Sequence, residues 1–336
     1  MKAAVYTAIG QIELKNIDTP KINDDELLVK VEMCGICGTD IKTFLKGHHM
    51  FTPPCILGHE FVGKVAETGK NISKSFGASS YVFAPYIECE KCETCIKGAP
   101  ELCKNKYWID GAFTEYVKVP VQIAQRAMFE VPQDCPKETA TLTEPLACAI
   151  HGINRARITC GNKVLVVGSG PMGLLICLAL KKMNCDVLTA DVDRYRIDAA
   201  KNCGIDTKDF SGEKFEEFRQ SGISFDSVIL ANDQKDLVNK LLPLVKPCGT
   251  LELFGGMPKN ITFEADPYYV HYRQVDIVGS FGFSEKDFRK AFTVISENSQ
   301  LFSRMISQKV GIKDIKKGFE LATDRKNIKV VVKISE

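Results

Sequence analysis

Hydrophobic positions along this chain fall into two textures. Through roughly the first 145 residues the apolar runs are short, as at 27–31, and Gly, Pro, Asn or Asp interrupts them every few positions. That texture predicts many short strands joined by turns, so this stretch is expected to be mainly β. From about 150 to 280 the compact apolar runs Lys163–Val167, 227–230 and 250–254 alternate with helical stretches such as 172–182. Such alternation predicts an α/β region built on a doubly wound parallel sheet. Past 284 a helix-like segment, 286–298, precedes a strand-like run, 328–334, expected to rejoin the sheet of the first domain. The domain expectation is therefore residues 1–148, then 149–283, then a return segment 284–336 that completes the first domain. No internal repeat or low-complexity linker interrupts this pattern.

Composition adds few constraints. A length of 336 residues suits two domains with their own cores, and 45% hydrophobic with 26% charged residues is ordinary for a globular protein. A formal charge of +2 gives no reason to expect nucleic-acid or membrane partners. The N-terminal sixteen residues, MKAAVYTAIGQIELKN, lack the apolar core and cleavage site of a secretory signal. No run of about 20 apolar residues occurs. Fourteen cysteines without such a signal point to metal ligation and buried thiols before disulfides, and to a reducing, cytoplasmic location.

Four of those cysteines, Cys89, Cys92, Cys95 and Cys103, follow a C-x2-C-x2-C-x7-C spacing. Spacings this short let thiolates converge on one ion, and four sulfurs close a tetrahedral zinc shell with no open position, which makes the site structural. An iron–sulfur cluster is the alternative for four cysteines.

A second constellation is spread along the chain. It comprises Cys34-Gly35-Ile36-Cys37-Gly38-Thr39-Asp40, then Gly58-His59-Glu60, then Thr143-Glu144-Pro145-Leu146. Thiolate, imidazole and carboxylate are the ligand types of a catalytic zinc, which keeps one position for water or substrate. Cys37, His59, Glu60 and Glu144 are the candidate donors. Asp40 is the candidate acceptor for the second ring N–H of His59, fixing its tautomer; the plainer reading is a helix-cap aspartate. Cys34 reads as a small buried residue. Cys55, Cys135, Cys148, Cys160, Cys177, Cys185, Cys203 and Cys248 lack ligand spacing and read as ordinary thiols.

The run Lys163–Val167 leads directly into Gly168-Ser169-Gly170-Pro171-Met172-Gly173, and Asp191 follows Gly173 by eighteen residues. Between a strand and a helix, G-x-G-x-x-G is a dinucleotide fingerprint. Its glycines permit a tight turn and close approach of a pyrophosphate to the helix N-terminus, with Asp191 toward the adenosine ribose. An acid there favours NAD by repelling a 2′-phosphate. Arg194 and Arg196 lie close behind and partly offset that charge, so NADP is disfavoured and not excluded.

Taken together, these motifs and a late Gly255-Gly256 turn followed by His271-Tyr272-Arg273 resemble the zinc-containing medium-chain dehydrogenase/reductase family, particularly its polyol (sorbitol-type) and threonine dehydrogenase branches. The likeness covers essentially the whole chain. It implies a GroES-like catalytic domain with a Rossmann domain, about two zinc ions (Zn2+) per chain, and homodimers or homotetramers paired through the Rossmann sheets. Carried over by position, Cys37, His59 and Glu60 look like ligands of the catalytic zinc. Glu144 looks like a further carboxylate that binds the metal directly or through water, and the spacing leaves open which glutamate is inner.

Three positions depart from the family pattern. Lys42 stands where other alcohol dehydrogenases place a proton-relay histidine, so a relay from Thr39 must run to water or to a group such as His48 or His49. Gly279-Ser280-Phe281 is followed by Gly282-Phe283 where sorbitol-type enzymes carry a substrate-contacting Arg-Tyr pair. Gly77-Ala78 replaces a Gly-Asp turn.

The activity implied is hydride transfer from a secondary alcohol to NAD, with zinc as Lewis acid and Thr39 passing the hydroxyl proton outward. The substrate expected is a small polar alcohol: a polyol, cyclitol or sugar-derived alcohol first, a hydroxy amino acid such as threonine second, a simple alcohol third. A rival of another class, a non-catalytic zinc- and nucleotide-binding sensor or scaffold, predicts bound NAD and zinc without turnover.

Overall fold

The computed structural model describes residues 1–72 and 76–335. It divides into two compact units, Met1–Ala147 with Phe283–Glu336, and Cys148–Gly282.

The first unit is built on β-sheet. Its largest sheet runs in the order Met128–Glu130, Tyr81–Phe83, Glu60–Thr68, Glu26–Gly35, Lys329–Lys333, Ile306–Gly311, and Tyr116–Pro120 pairs with Glu26–Gly35 off that path. Glu26–Gly35 is central, and seven of its ten residues are buried. Its neighbours supply the candidate chemistry. Gly35 lies opposite Glu60 on one side, and Val331 opposite Gly35 on the other. The C-terminal strand Lys329–Lys333 thus returns to the sheet built by the first residues of the chain. Fully buried aromatics, among them Phe61, Phe83, Phe113 and Phe319, fill the core of this unit. Each contributes about 2–3 kcal/mol of transfer free energy.

The helix leading into the return segment, Glu285–Glu297, starts one residue earlier than its periodicity suggests. A capping box explains the start: Ser284 Oγ accepts the N–H of Asp287, and the Asp287 carboxylate accepts the N–H of Ser284.

The second unit holds the doubly wound sheet expected from its alternating texture. Six parallel strands run in the order Asp206–Asp209, Asp186–Asp191, Lys163–Val167, Phe225–Leu230, Val245–Leu253, Asp276–Gly279. All the pairings are parallel. Lys163–Val167, near the middle, is buried on both faces and reads as an unbroken apolar run; the edge strand DTKD has no fully buried residue. Val245–Leu253 extends five residues upstream of the run at 250–254. Its register shifts between the pairings of Phe225 and Ser227, and Cys248 takes φ +60° there. That irregularity interrupts the apolar alternation and hides the first half of the strand.

Candidate active site and metal centres

Cys37 is the N-cap of the first helix, Gly38–Lys46, and its Sγ accepts the N–H of Thr39 at 3.4 Å. Asp40 completes a capping box by accepting the Cys37 N–H at 2.9 Å through Oδ2. Its Oδ1 accepts the Gly58 N–H at 3.2 Å and faces His59 Nδ1 at 3.6 Å. Asp40 is fully buried. One carboxylate therefore caps the helix that presents Cys37 and holds the turn that presents His59, so the cap role and the outer-shell position coincide in a single residue.

Cys37, His59 and Glu60 converge, with one ligand atom from each lying within 4.8 Å of the others. Burial lowers the affinity of His59 for a proton, but the Asp40 carboxylate and the Cys37 sulfur override it and raise the pKa well above the ordinary imidazole value. Glu60 starts the strand Glu60–Thr68 and is 1% exposed, and its Oε1 has no hydrogen-bond partner among the described residues. An orphaned, buried carboxylate oxygen beside a thiol and an imidazole fits a metal that completes the set.

Lys329, a residue that pattern reading passes over, pairs with the other oxygen of Glu60. Burial disfavours its charge, but Glu60 and Cys37 outweigh that and raise its pKa. The available signal was a lysine placed inward within an otherwise apolar run. Room for the pair comes from Gly35: a Cβ there would overlap Glu60 Oε2 and come within 3.1 Å of Lys329 Cε.

Glu144, in the first turn of Thr143–Arg155, is 7% exposed and lies outside the mutually close set of three. Its pKa is raised to about 7, chiefly by burial; His59 and Lys329 act to lower it, Glu60 and Asp40 to raise it. It stands close enough to feel all four groups. Cys34 is fully buried, and its Sγ donates to the Gly35 carbonyl at 3.6 Å.

The four-cysteine lobe closes on itself. Sγ separations are 3.4 Å for Cys92–Cys95, 3.6 Å for Cys92–Cys103 and 3.5 Å for Cys89–Cys103. A ZnS4 tetrahedron with about 2.3 Å bonds has edges of roughly 3.8 Å, whereas a disulfide needs about 2.05 Å. The observed spacing fits the metal shell. The Thr94 hydroxyl and the Cys95 N–H lower the Cys92 pKa to about 5, while burial and the neighbouring sulfurs raise Cys95 to about 12. The Cys89 and Asn105 N–H groups donate to Cys103 Sγ at 3.4 and 3.3 Å. The donors to Cys92 favour its thiolate form.

In the second unit, Gly168 ends the central strand at φ +108°, and Gly170 caps the helix Pro171–Lys182. A Cβ on Gly173 would collide with the Gly168 carbonyl, so the glycine at this point is a packing requirement. Pro171 and Met172 lie half-buried in the first turn. Asp191 accepts the N–H groups of Ser169, Val192 and Asp193 at 2.7, 2.8 and 3.0 Å. Three of about four lone-pair sites are thereby occupied, leaving roughly one for a ligand hydroxyl. Arg196 Nη1 lies 4.0 Å from Asp191 and alongside Gly170. The glycine turn, helix terminus and acid fit a dinucleotide.

Two known domain families match the chain. Residues 23–132 match the alcohol dehydrogenase GroES-like domain, and residues 137–334 the glucose dehydrogenase C-terminus. The chain belongs to the zinc-containing medium-chain dehydrogenase/reductase family, in its polyol dehydrogenase branch. It is 30% identical to L-galactonate-5-dehydrogenase of Escherichia coli K12 over 95% of this chain and 94% of that one. It is 26% identical to sorbitol dehydrogenase of Bombyx mori over 99% of this chain and 98% of that one. A solved zinc-binding dehydrogenase of Sinorhizobium meliloti, bound to NADP, superposes with TM-score 0.88 at 30% identity, covering 99% of both chains.

Proposed function

We propose that this chain is a zinc-dependent oxidoreductase that transfers a hydride from a secondary alcohol of a polyol or sugar-derived substrate to NAD. The observation that carries the reading is the convergence of half-buried Cys37 and His59 on buried Glu60, with an orphaned carboxylate oxygen, in a chain of this family. Zinc held by Cys37, His59 and Glu60 supplies Lewis acidity toward the substrate hydroxyl, and the nicotinamide supplies the hydride acceptor.

The residues of the chain do the rest. Asp40, facing His59 Nδ1, holds the imidazole in the tautomer that leaves Nε2 free for the metal. Lys329 balances the charge of Glu60, so that two anionic donors can share a buried pocket. Thr39, half-buried beside Cys37, carries the hydroxyl proton outward. Glu144, buried near these donors, would serve as a further carboxylate toward the metal, directly or through water. Cys89, Cys92, Cys95 and Cys103 hold a second, structural zinc. Gly168, Gly170, Pro171, Met172 and Gly173 receive the pyrophosphate, and Asp191 the adenosine ribose. Asp191 favours NAD over NADP, with Arg196 moderating the preference.

Chains are proposed to associate as homodimers or homotetramers through the second unit. Its edge strand Asp276–Gly279 is flanked by exposed Tyr268, Tyr272 and Phe281. Among the described residues no disulfide joins the fourteen cysteines, in keeping with the reducing, cytoplasmic setting proposed for the chain.

Metal analysis and an alcohol panel test the reading together. About two zinc ions per chain and NADH formation with one class of polar secondary alcohols are expected. One zinc, retained after Cys37→Ala, and no turnover after zinc is restored would overturn the catalytic assignment in favour of a binding protein.

A further inference from the structure

Arg126 ends the short helix Val121–Arg126, and carboxylates from two other segments of the first unit meet its guanidinium. Nη1 donates to the Glu88 carbonyl at 3.0 Å, and Nη2 lies 3.5 Å from the Glu88 carboxylate, 3.2 Å from that of Glu90 and 3.9 Å from that of Glu285. Glu88 and Glu90 flank Cys89, so two of these acids bracket the first cysteine of the four-cysteine lobe. Glu285 opens the helix Glu285–Glu297, just after the chain re-enters the first unit at Phe283. Further hydrogen bonds join the same segments. The Glu285 N–H donates to Glu88 Oε2 at 3.2 Å, the Phe283 N–H to the Tyr86 hydroxyl at 3.2 Å, and Arg289 Nη2 to the Arg126 carbonyl at 2.9 Å.

The turn that Arg126 grips has an uncommon backbone. Glu90 takes φ +63°, a left-handed conformation that favours glycine and is strained for a glutamate. Burial and the Cys92 and Cys103 sulfurs raise the Cys95 pKa, and a hydrogen bond from the Glu90 N–H opposes them, so this turn aims a donor at one of the lobe's sulfurs. A glycine would take the turn without strain. A glutamate here is accounted for by what its side chain reaches, the Arg126 guanidinium. Charge points the same way: four thiolates around one Zn2+ carry about −2, and Arg126 offsets the three carboxylates gathered beside them.

We propose that Arg126 is the positioning residue of the four-cysteine zinc site: through Glu90 it holds the turn between Cys89 and Cys92 in the form that receives the metal, and through Glu285 it ties occupancy of that site to the start of the helix Glu285–Glu297. This rests on the structural-zinc reading above and adds to it a linkage between the metal and the return segment. Such linkage is reciprocal, so zinc that steadies the helix start is itself loosened when the helix contact is broken.

The test uses the zinc-loaded full chain. Zinc loss to a coloured chelator is followed in time, and the phase missing from Cys103→Ser identifies the lobe. Arg126→Gln should lose that zinc about tenfold faster than the native chain. Glu90→Gln, whose carboxylate is largely open to solvent, should lose it about threefold faster. The double variant should lose it no faster than Arg126→Gln alone, because the pair is already broken. Glu90→Gly separates positioning from backbone shape: it relieves the left-handed strain, yet it too should shed zinc faster than the native chain. Hydrogen exchange reads the other half of the linkage. Removing the lobe zinc should speed exchange at 283–289 in the native chain and leave it unchanged in Arg126→Gln, where exchange is already fast. Native zinc retention in Arg126→Gln and Glu90→Gln, tighter retention in Glu90→Gly, or exchange at 283–289 that ignores the metal would each overturn the proposal. A native chain without lobe zinc would overturn the structural-zinc reading, and the proposal with it.

Discussion

Lys329 and Glu60 come from opposite ends of the sequence and form an ion pair that is almost completely withdrawn from solvent. Glu26–Gly35 lies between their strands, and Gly35 supplies the gap in which the two side chains meet. Removing one member of a buried pair leaves the other charge uncompensated, at about 3–5 kcal/mol. Lys329→Met should therefore destabilise the first unit by about that much in chemical denaturation and sharply reduce turnover. Lys329→Met combined with Glu60→Gln should recover most of the stability and none of the activity. Equal stability of Lys329→Met and the native chain would show that the pair is dispensable.

Gly35→Ala tests the same site through shape. Its new methyl group overlaps the Glu60 carboxylate, so the donor set should open while the second unit stays unchanged. Metal analysis should find the zinc held by Cys37, His59 and Glu60 lost or greatly weakened, with NADH still bound. A full complement of tightly held zinc would contradict the close approach.

Cys103→Ser removes one sulfur from a shell whose observed spacing matches four-sulfur zinc. The variant should release one zinc on mild chelation and melt several degrees lower, because a structural metal site contributes its binding free energy to folding. Retention of that zinc at native affinity would speak against a four-thiolate shell.

Asp191 anchors the loop after the glycine turn through three backbone N–H groups and retains about one acceptor site. Asp191→Ala should weaken NADH binding by about tenfold or more and narrow the preference over NADPH, read by fluorescence titration. An unchanged ratio of the two affinities would remove Asp191 from cofactor selection.

Glu252 gives a stability prediction within the second unit. It is 0% exposed in the strand Val245–Leu253, its Oε1 accepts from Ser280 Oγ at 2.7 Å, and its Oε2 has no hydrogen-bond partner among the described residues. Burial raises its pKa to about 7, against lowering by Ser280, His151 and Arg155. Between the ordinary carboxyl value and 7 the folded chain holds this proton and the unfolded chain does not, so stability from this group falls as pH rises through that window. Relative to the native chain, Glu252→Gln should gain stability from pH 5 to pH 8, by up to about 3 kcal/mol. A pH-independent difference in denaturation midpoint would mean that Glu252 titrates normally.

Much of this protein was legible in its sequence, because the features concerned are local or periodic. Strand–helix alternation required a doubly wound sheet, the glycine turn needed only its flanking strand and helix, and four cysteines at short spacing could converge on one ion whatever surrounded them. Cys37, His59 and Glu60 were recognisable by ligand chemistry. Tertiary structure decided the rest. Lys329 joined the site because a strand from the far end of the chain pairs with Glu26–Gly35, and no local pattern encodes that pairing. Asp40 acquired its double role because Gly58 and Cys37 were brought to one carboxylate. Glu144 was placed beside the three close donors rather than among them, since a few ångströms of helix position, not residue type, sets which oxygen can reach a metal. Periodicity and spacing are written along the chain, whereas charge compensation and distance between remote segments exist only once the core has packed.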